Sequence, residues 1–170
     1  MRVLGIDPSI RSTGFGIIEY SQNNYTVLDY GTIKPSRRLL FHHKINEIKN
    51  QIEKLISTHT PDEVALENPF YAQNIKTAIT LGQVRGAILV AVASQDCSLF
   101  EYSPLEIKKA VTGYGQADKN QVKTMVKALL HIDDEKIETD ASDALATAIC
   151  HLNSRIFQTK LNESGAKEGQ

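Results

Sequence analysis

The sequence predicts an α/β domain in which an antiparallel meander joins parallel strands in a five-stranded mixed sheet, with helices packed on its faces. Three observations carry that expectation. Short apolar or β-rich runs recur at the start of the chain and then alternate with longer helical patterns. Two strand-like runs end in a carboxylate followed within two residues by proline. The helical stretches are apolar on one face or, in one case, almost all round.

Val3-Leu4-Gly5-Ile6-Asp7 is a wholly apolar run closed by an acid and then Pro8, the pattern of a central strand entering a turn. Thr13 to Tyr20 and Tyr25 to Lys34 are β-rich and separated by the polar turn Ser21-Gln22-Asn23-Asn24, which completes a meander. From Ser36 to about Thr58 apolar residues fall at Phe41, Ile45, Ile48, Ile52 and Leu55, at helical spacing with charges between them. Pro61 ends that helix, and Asp62 to Glu67 forms a fourth strand running into Asn68-Pro69. Asn74 to Ala93 is helical and apolar over most of its circumference, which predicts burial on two sides, with Gly82 and Gly86 admitting another backbone. Leu99 to Tyr102 is a fifth short strand, Pro104 opens a helix to about Thr112, and Gly113 to Gln116 is a flexible loop. Two helices follow, Asp118 to Leu130 and Thr139 to Phe157. Residues 1–157 are therefore expected to form one domain, and 158–170, polar and aperiodic, a disordered tail.

Composition narrows the class. With 170 residues, 41% hydrophobic and 23% charged, the chain can bury a core without disulfides or structural metal, which excludes collagen, disordered and disulfide-scaffold classes. Cys97 and Cys150 share no ligand spacing and are expected as reduced, half-buried residues of a cytoplasmic protein. Gly86 to Ala93, the longest uncharged apolar run, is far short of the ~18 residues of a membrane span, so no membrane association is expected. The net charge of −1 hides an uneven distribution: residues 1–60 carry +3, 101–132 carry +2, and 133–143 carry −5.

Ligand sites in open α/β sheets lie beyond the carboxyl ends of the strands, so Asp7 and Glu67, each the last residue of a strand, are candidates for one pocket. Acids in these positions also make ordinary turn hydrogen bonds. Asp140 and Asp143 open the last helix three residues apart, on one face; taken alone they suit a helix N-terminus, whose dipole they complement. Together, four acids on three elements could supply the hard oxygen ligands that Mg²⁺ takes.

The motifs Gly5-Ile6-Asp7-Pro8-Ser9 with Thr13-Gly14-Phe15-Gly16, Glu67 with Phe70, Leu81-Gly82-Gln83-Val84-Arg85-Gly86, and Asp140-Ala141-Ser142-Asp143-Ala144-Leu145-Ala146 stand in order along residues 2–152. In these the sequence resembles the RuvC family of crossover-junction endodeoxyribonucleases. The resemblance implies a ribonuclease H-like fold and a homodimer that cuts two opposing strands of a Holliday junction symmetrically, in recombination and repair. It makes Asp7, Glu67, Asp140 and Asp143 the metal-binding catalytic acids. It matches Lys108 and Lys119 to basic residues near the scissile phosphate, and Phe70 to an aromatic that meets bases at the junction. It further implies two Mg²⁺ per subunit, with Mn²⁺ able to substitute, 5′-phosphate and 3′-hydroxyl products, and the RuvA–RuvB branch-migration complex as a partner. Ser9 departs from the family, which more often has glycine there, and adds a side chain close to the substrate backbone.

Lys119, Lys123 and Lys127 recur every four residues as one helical stripe, with Lys108 and Lys109 just before it; this is a solvated face or a phosphate-binding one. His42, His43, His59 and His131 read as surface residues, and His151, eight residues after Asp143, as a packing or surface residue ahead of a site residue. The alternatives are a ribonuclease H-like nuclease for RNA or other branched DNA, an actin-like or sugar-kinase-like nucleotide-binding module, and a non-catalytic junction-binding protein. The second needs two such domains, and this chain has room for one.

Overall fold

A computed structural model of the chain describes residues 1–68, 74–133 and 137–167, without the side chains of residue 160 and of 163–167. Five strands, β1 (Arg2–Asp7), β2 (Thr13–Ser21), β3 (Asn24–Ile33), β4 (Glu63–Glu67) and β5 (Ser98–Tyr102), form one sheet in the order β3-β2-β1-β4-β5. β1 pairs antiparallel with β2 and parallel with β4, so the meander and the parallel half meet at the first strand, as the element order predicts. The helices are α1 (Phe41–His59), α2 (Ile75–Ala93), α3 (Pro104–Thr112), α4 (Lys119–Leu130) and α5 (Thr139–Lys167).

Side-chain alternation sorts the sheet into two cores. Leu4, Ile6, Val64 and Leu66 point to one face, where Ile48, Ile52 and Ile56 of α1 and Val84, Ile88 and Ala91 of α2 cover them. Val3 and Ala65 point to the other, under α3, α4 and α5. α5 lies directly on that second face because the strands present glycine beneath it. A Cβ at Gly5 would stand 2.1 Å from the Ala144 carbonyl oxygen, and one at Gly14 would stand 1.9 Å from that of Asp140. The helix answers with small residues, Ala141, Ala144 and Ala148 being buried in the contact.

Two boundaries differ from the sequence reading. α1 begins at Phe41 instead of Ser36: the Leu39 N–H bonds the Ser36 carbonyl at 3.1 Å, closing a turn before the helix starts. α5 runs to Lys167, past Phe157, where the apolar periodicity ends; no proline interrupts it and helix propensity carries it on. The described residues bury α2 on one side only.

Val84, Ile88, Ala91 and Val92 form the buried face of α2. On the opposite side Ile75 and Ile79 are 80% and 57% exposed and Val90 58%, and added Cβ atoms at Gly82 and Gly86 would meet nothing within 4 Å. These residues share one stripe at helical spacing. α2 is also the one helix among the described residues that is long and apolar enough to cross a membrane, counted through Lys76 and Arg85, although its inner face packs on the sheet and α1.

Candidate active site

Residues of one parity on β4, namely Glu63, Ala65 and Glu67, face α5. The parallel register sets Val3 beside Glu63 and Gly5 beside Ala65; carried on by two residues, it brings Asp7 next to Glu67 at the carboxyl end of the sheet. α5 crosses this pair with its N-terminal turns. Asp7, Glu67 and Asp143 line one cavity of about 320 Å³ together with Lys108 of α3 and Lys119 of α4.

The acids perturb one another. Burial raises the Asp7 carboxyl far above its usual range, and the charges of Glu67, Asp143 and Asp140 raise it further. Glu67 is raised by burial and by Asp143, against a hydrogen bond from Asp7 and the pull of Lys119 and Lys108. Burial also raises Asp143, opposed by Lys119, whose ammonium lies 3.2 Å from its Oδ2. Among the described residues no three His, Cys, Asp or Glu side chains form a closed metal cage. The donor set nevertheless suits a hard divalent ion that keeps several waters: all donors are carboxylate oxygens, their ionised forms need a cation, and Lys119 already stands as one beside Asp143.

The remaining sequence candidates fall in different places. Asp140 is half-buried in the first turn of α5; it contributes its charge to Asp7 and Asp143 but does not line the cavity. Lys123 donates to the Ile137 carbonyl at 2.5 Å, so its ammonium is turned to the segment before α5 and not to the acids. Phe70 lies outside the described residues. Ser9 holds its own loop: its hydroxyl accepts the Arg11 N–H at 3.3 Å, and its carbonyl accepts the Thr13 hydroxyl at 2.6 Å.

His151 is completely buried. Its Nε2 lies 2.6 Å from Glu63 Oε2 and its Nδ1 2.7 Å from the Tyr102 hydroxyl, while Arg155 also holds Glu63 and stacks 4.3 Å over the Phe100 ring. The ionised carboxylate can only accept, so Nε2 carries the proton and Nδ1 accepts from Tyr102. Four strand residues separate Glu63 from Glu67, about 13 Å at the usual rise. Eight helical residues separate Asp143 from His151, about 12 Å. The two spacings match, so the Glu63–His151 contact near the middle of α5 sets the register that places Asp143, in its first turns, near Glu67. Sequence reasoning missed this pairing; the readable signal was Glu63 and Glu67 four apart on a strand against Asp143 and His151 eight apart on a helix.

Comparison with known proteins bears on the family and the fold. The family model described as crossover junction endodeoxyribonuclease RuvC matches residues 3–151. The crossover junction endodeoxyribonuclease RuvC of Alkaliphilus metalliredigens is 42% identical over 159 residues, covering 94% of this chain and 97% of that protein. Among solved structures, Thermus thermophilus RuvC in complex with a Holliday junction substrate superposes with a TM-score of 0.87 at 28% identity, covering 94% of this chain and 97% of the other. The yeast mitochondrial Holliday junction resolvase shares the fold, with a TM-score of 0.73 at 13% identity over 99% and 84% of the two chains. On the match over residues 3–151 and this level of identity, the chain belongs to the RuvC family of crossover junction endodeoxyribonucleases.

Proposed function

We propose that this chain is a Holliday junction-resolving endonuclease that hydrolyses phosphodiester bonds in two opposing strands, leaving 5′-phosphate and 3′-hydroxyl ends. The observation that carries the reading is the convergence of Asp7, Glu67 and Asp143 with Lys108 and Lys119 in one cavity at the carboxyl end of the sheet. Asp7, Glu67, Asp143 and, from the first turn of α5, Asp140 would hold two Mg²⁺, or Mn²⁺ in their place. When bound, such ions would provide a nucleophilic water at neutral pH and offset charge on the phosphoryl oxygens. Asp7 feels the charges of Glu67, Asp140 and Asp143 and would hold the ions together with them. Lys119 and Lys108, whose charges reach Glu67 and Asp143, would meet the scissile phosphate, and the family resemblance assigns Phe70 to a base at the crossover.

Two like strands of a two-fold junction need two sites related by the same symmetry, so the active form is a homodimer. The open apolar stripe of α2 supplies the interface, and the glycines let the helices approach closely. The enzyme acts in the cytoplasm alongside the RuvA–RuvB branch-migration complex. Purified protein with Mg²⁺ should cleave a four-way junction in preference to linear duplex and to RNA–DNA hybrid. Preferential cleavage of the hybrid would make the chain a ribonuclease, and binding without cleavage a junction-binding protein.

A further inference from the structure

The positive charge of residues 1–60 has no place in the acid cavity, where the cations come from α3 and α4. Four of the eight basic residues of that segment line instead a second, larger cleft at the same end of the sheet, on the α1 and α2 face. Its walls are the loop from Asp7 to Thr13, the segment leaving β3, the first turn of α1 and the early part of α2. Arg11, Lys34, Arg37 and Lys44 line it, and among the described lining residues none is acidic. Lys34 is paired with Glu138, which lies just before α5. Arg11 and Arg37 are exposed, and the side chains of Arg11, Arg37 and Lys44 have no carboxylate partner among the described residues. The Ser12 hydroxyl, in the same wall, is buried with no hydrogen-bond partner among them.

Three unpaired cations around a concave, acid-free wall fit a polyanion whose charges repeat closely, and duplex DNA carries one phosphate charge per ~1.7 Å of axis. The walls share the loop that begins at Asp7, so a backbone lying in this cleft continues past the acids toward Lys108 and Lys119 on the opposite flank. We infer that this cleft holds the phosphate backbone of a duplex arm of the junction, away from the crossover, and orients that arm across the acid cavity. The inference rests on the junction-nuclease reading and extends it to residues outside the catalytic cavity. The positions of Arg11, Arg37 and Lys44 contribute no side chain to the acid site; they contribute charge to arm binding.

The test compares wild type with the triple variant R11A/R37A/K44A, using a fluorescent immobile four-way junction with long arms, the same junction with arms trimmed short, and a linear duplex. Removing three phosphate contacts should lower the log–log salt slope by about 2.7 on long-armed junction and on duplex. The affinity advantage of wild type should then shrink about 40-fold between 50 and 200 mM salt. On the short-armed junction the two proteins should converge. The control K49A/K54A, on α1 outside the cleft, should keep the wild-type slope. If the triple variant matches wild type on every DNA while wild type prefers and cuts junctions, the cleft assignment is wrong and the nuclease reading stands. An equal loss on long and short arms would also overturn it. If wild type shows no junction preference but the triple variant loses slope on duplex, the cleft stands and the resolving activity falls.

Discussion

Replacing Gly14 by alanine places a methyl group 1.9 Å from the Asp140 carbonyl oxygen, 2.4 Å from its carbonyl carbon and 3.2 Å from the Ala141 nitrogen. All three are backbone atoms, so no rotamer change relieves the clash. Real Cβ atoms essentially never approach closer than 3.0 Å, so the start of α5 must move by at least about 1.1 Å. Overpacking of this kind costs about 1–3 kcal/mol. For a domain of this size that corresponds to a Tm lower by about 2–12 °C. The displaced turn carries Asp140 and Asp143, and a misplacement of about 1 Å at a reacting centre costs on the order of 10²-fold in rate. Melting followed by circular dichroism and single-turnover cleavage of a four-way junction read the two effects separately. A Gly14→Ala protein with wild-type Tm and a cleavage rate within twofold of wild type would show that α5 is not seated on β2 as described. Gly82→Ala is the contrast, since its methyl group meets nothing within 4 Å among the described residues. The monomer should be as stable or, through helix propensity, up to about 1 kcal/mol more stable, while self-association weakens.

Asp7→Asn should lower cleavage by on the order of 10³-fold and abolish the rise in Tm that Mg²⁺ gives the wild type, as seen in melting curves with and without the ion. Ile79→Asp, on the open stripe of α2, should leave the fold intact and shift sedimentation from dimer to monomer, whereas Ile88→Asp, on the buried face, should unfold the chain. Stability should fall as pH drops below about 6.5. Burial lowers the His151 pKa against the pull of Glu63, so the unfolded chain binds that proton first. Glu63, pushed up by burial but held down on balance by Arg155 and His151, has a depressed folded pKa, so its contribution is lost as pH falls through that value. Both shifts act with the same sign, and His151→Gln should flatten the upper part of the Tm-versus-pH curve.

The strand ends and the side-chain-capped helix starts were legible because they are local, whereas α1, whose N-cap Leu40 makes no side-chain cap bond, was read as starting too early. Asp7 and Glu67 each close an apolar run, Asn74, Ser103 and Asp118 cap their helices through side-chain hydrogen bonds, and alternation alone orients the acids to one face. The family motifs carried the remaining step to Asp140 and Asp143. What the sequence could not convey was relative placement. Lys119 and Lys123 stand one turn apart on the same stripe, yet one reaches Asp143 and the other the Ile137 carbonyl, a distinction made by the segment that leads into α5. The all-round apolarity of α2 was visible, but whether its second face is covered by its own chain depends on tertiary packing. Gly5 and Gly14 read as motif letters, and only the seating of α5 shows that each is an absent side chain making room for a helix.

That seating has a consequence for synthesis. β1 supplies Asp7 and α5 supplies Asp143, so the acid cavity closes across almost the whole length of the chain through contacts between residues far apart in sequence. A chain emerging from the ribosome presents Asp7 and Glu67 early, but without Asp143 and the helix that aligns it, and it has no complete site until α5 has been made and docked. Chains truncated before α5 lack Asp140 and Asp143 and are therefore expected not to cleave DNA, while the basic cleft built from earlier residues can still bind it.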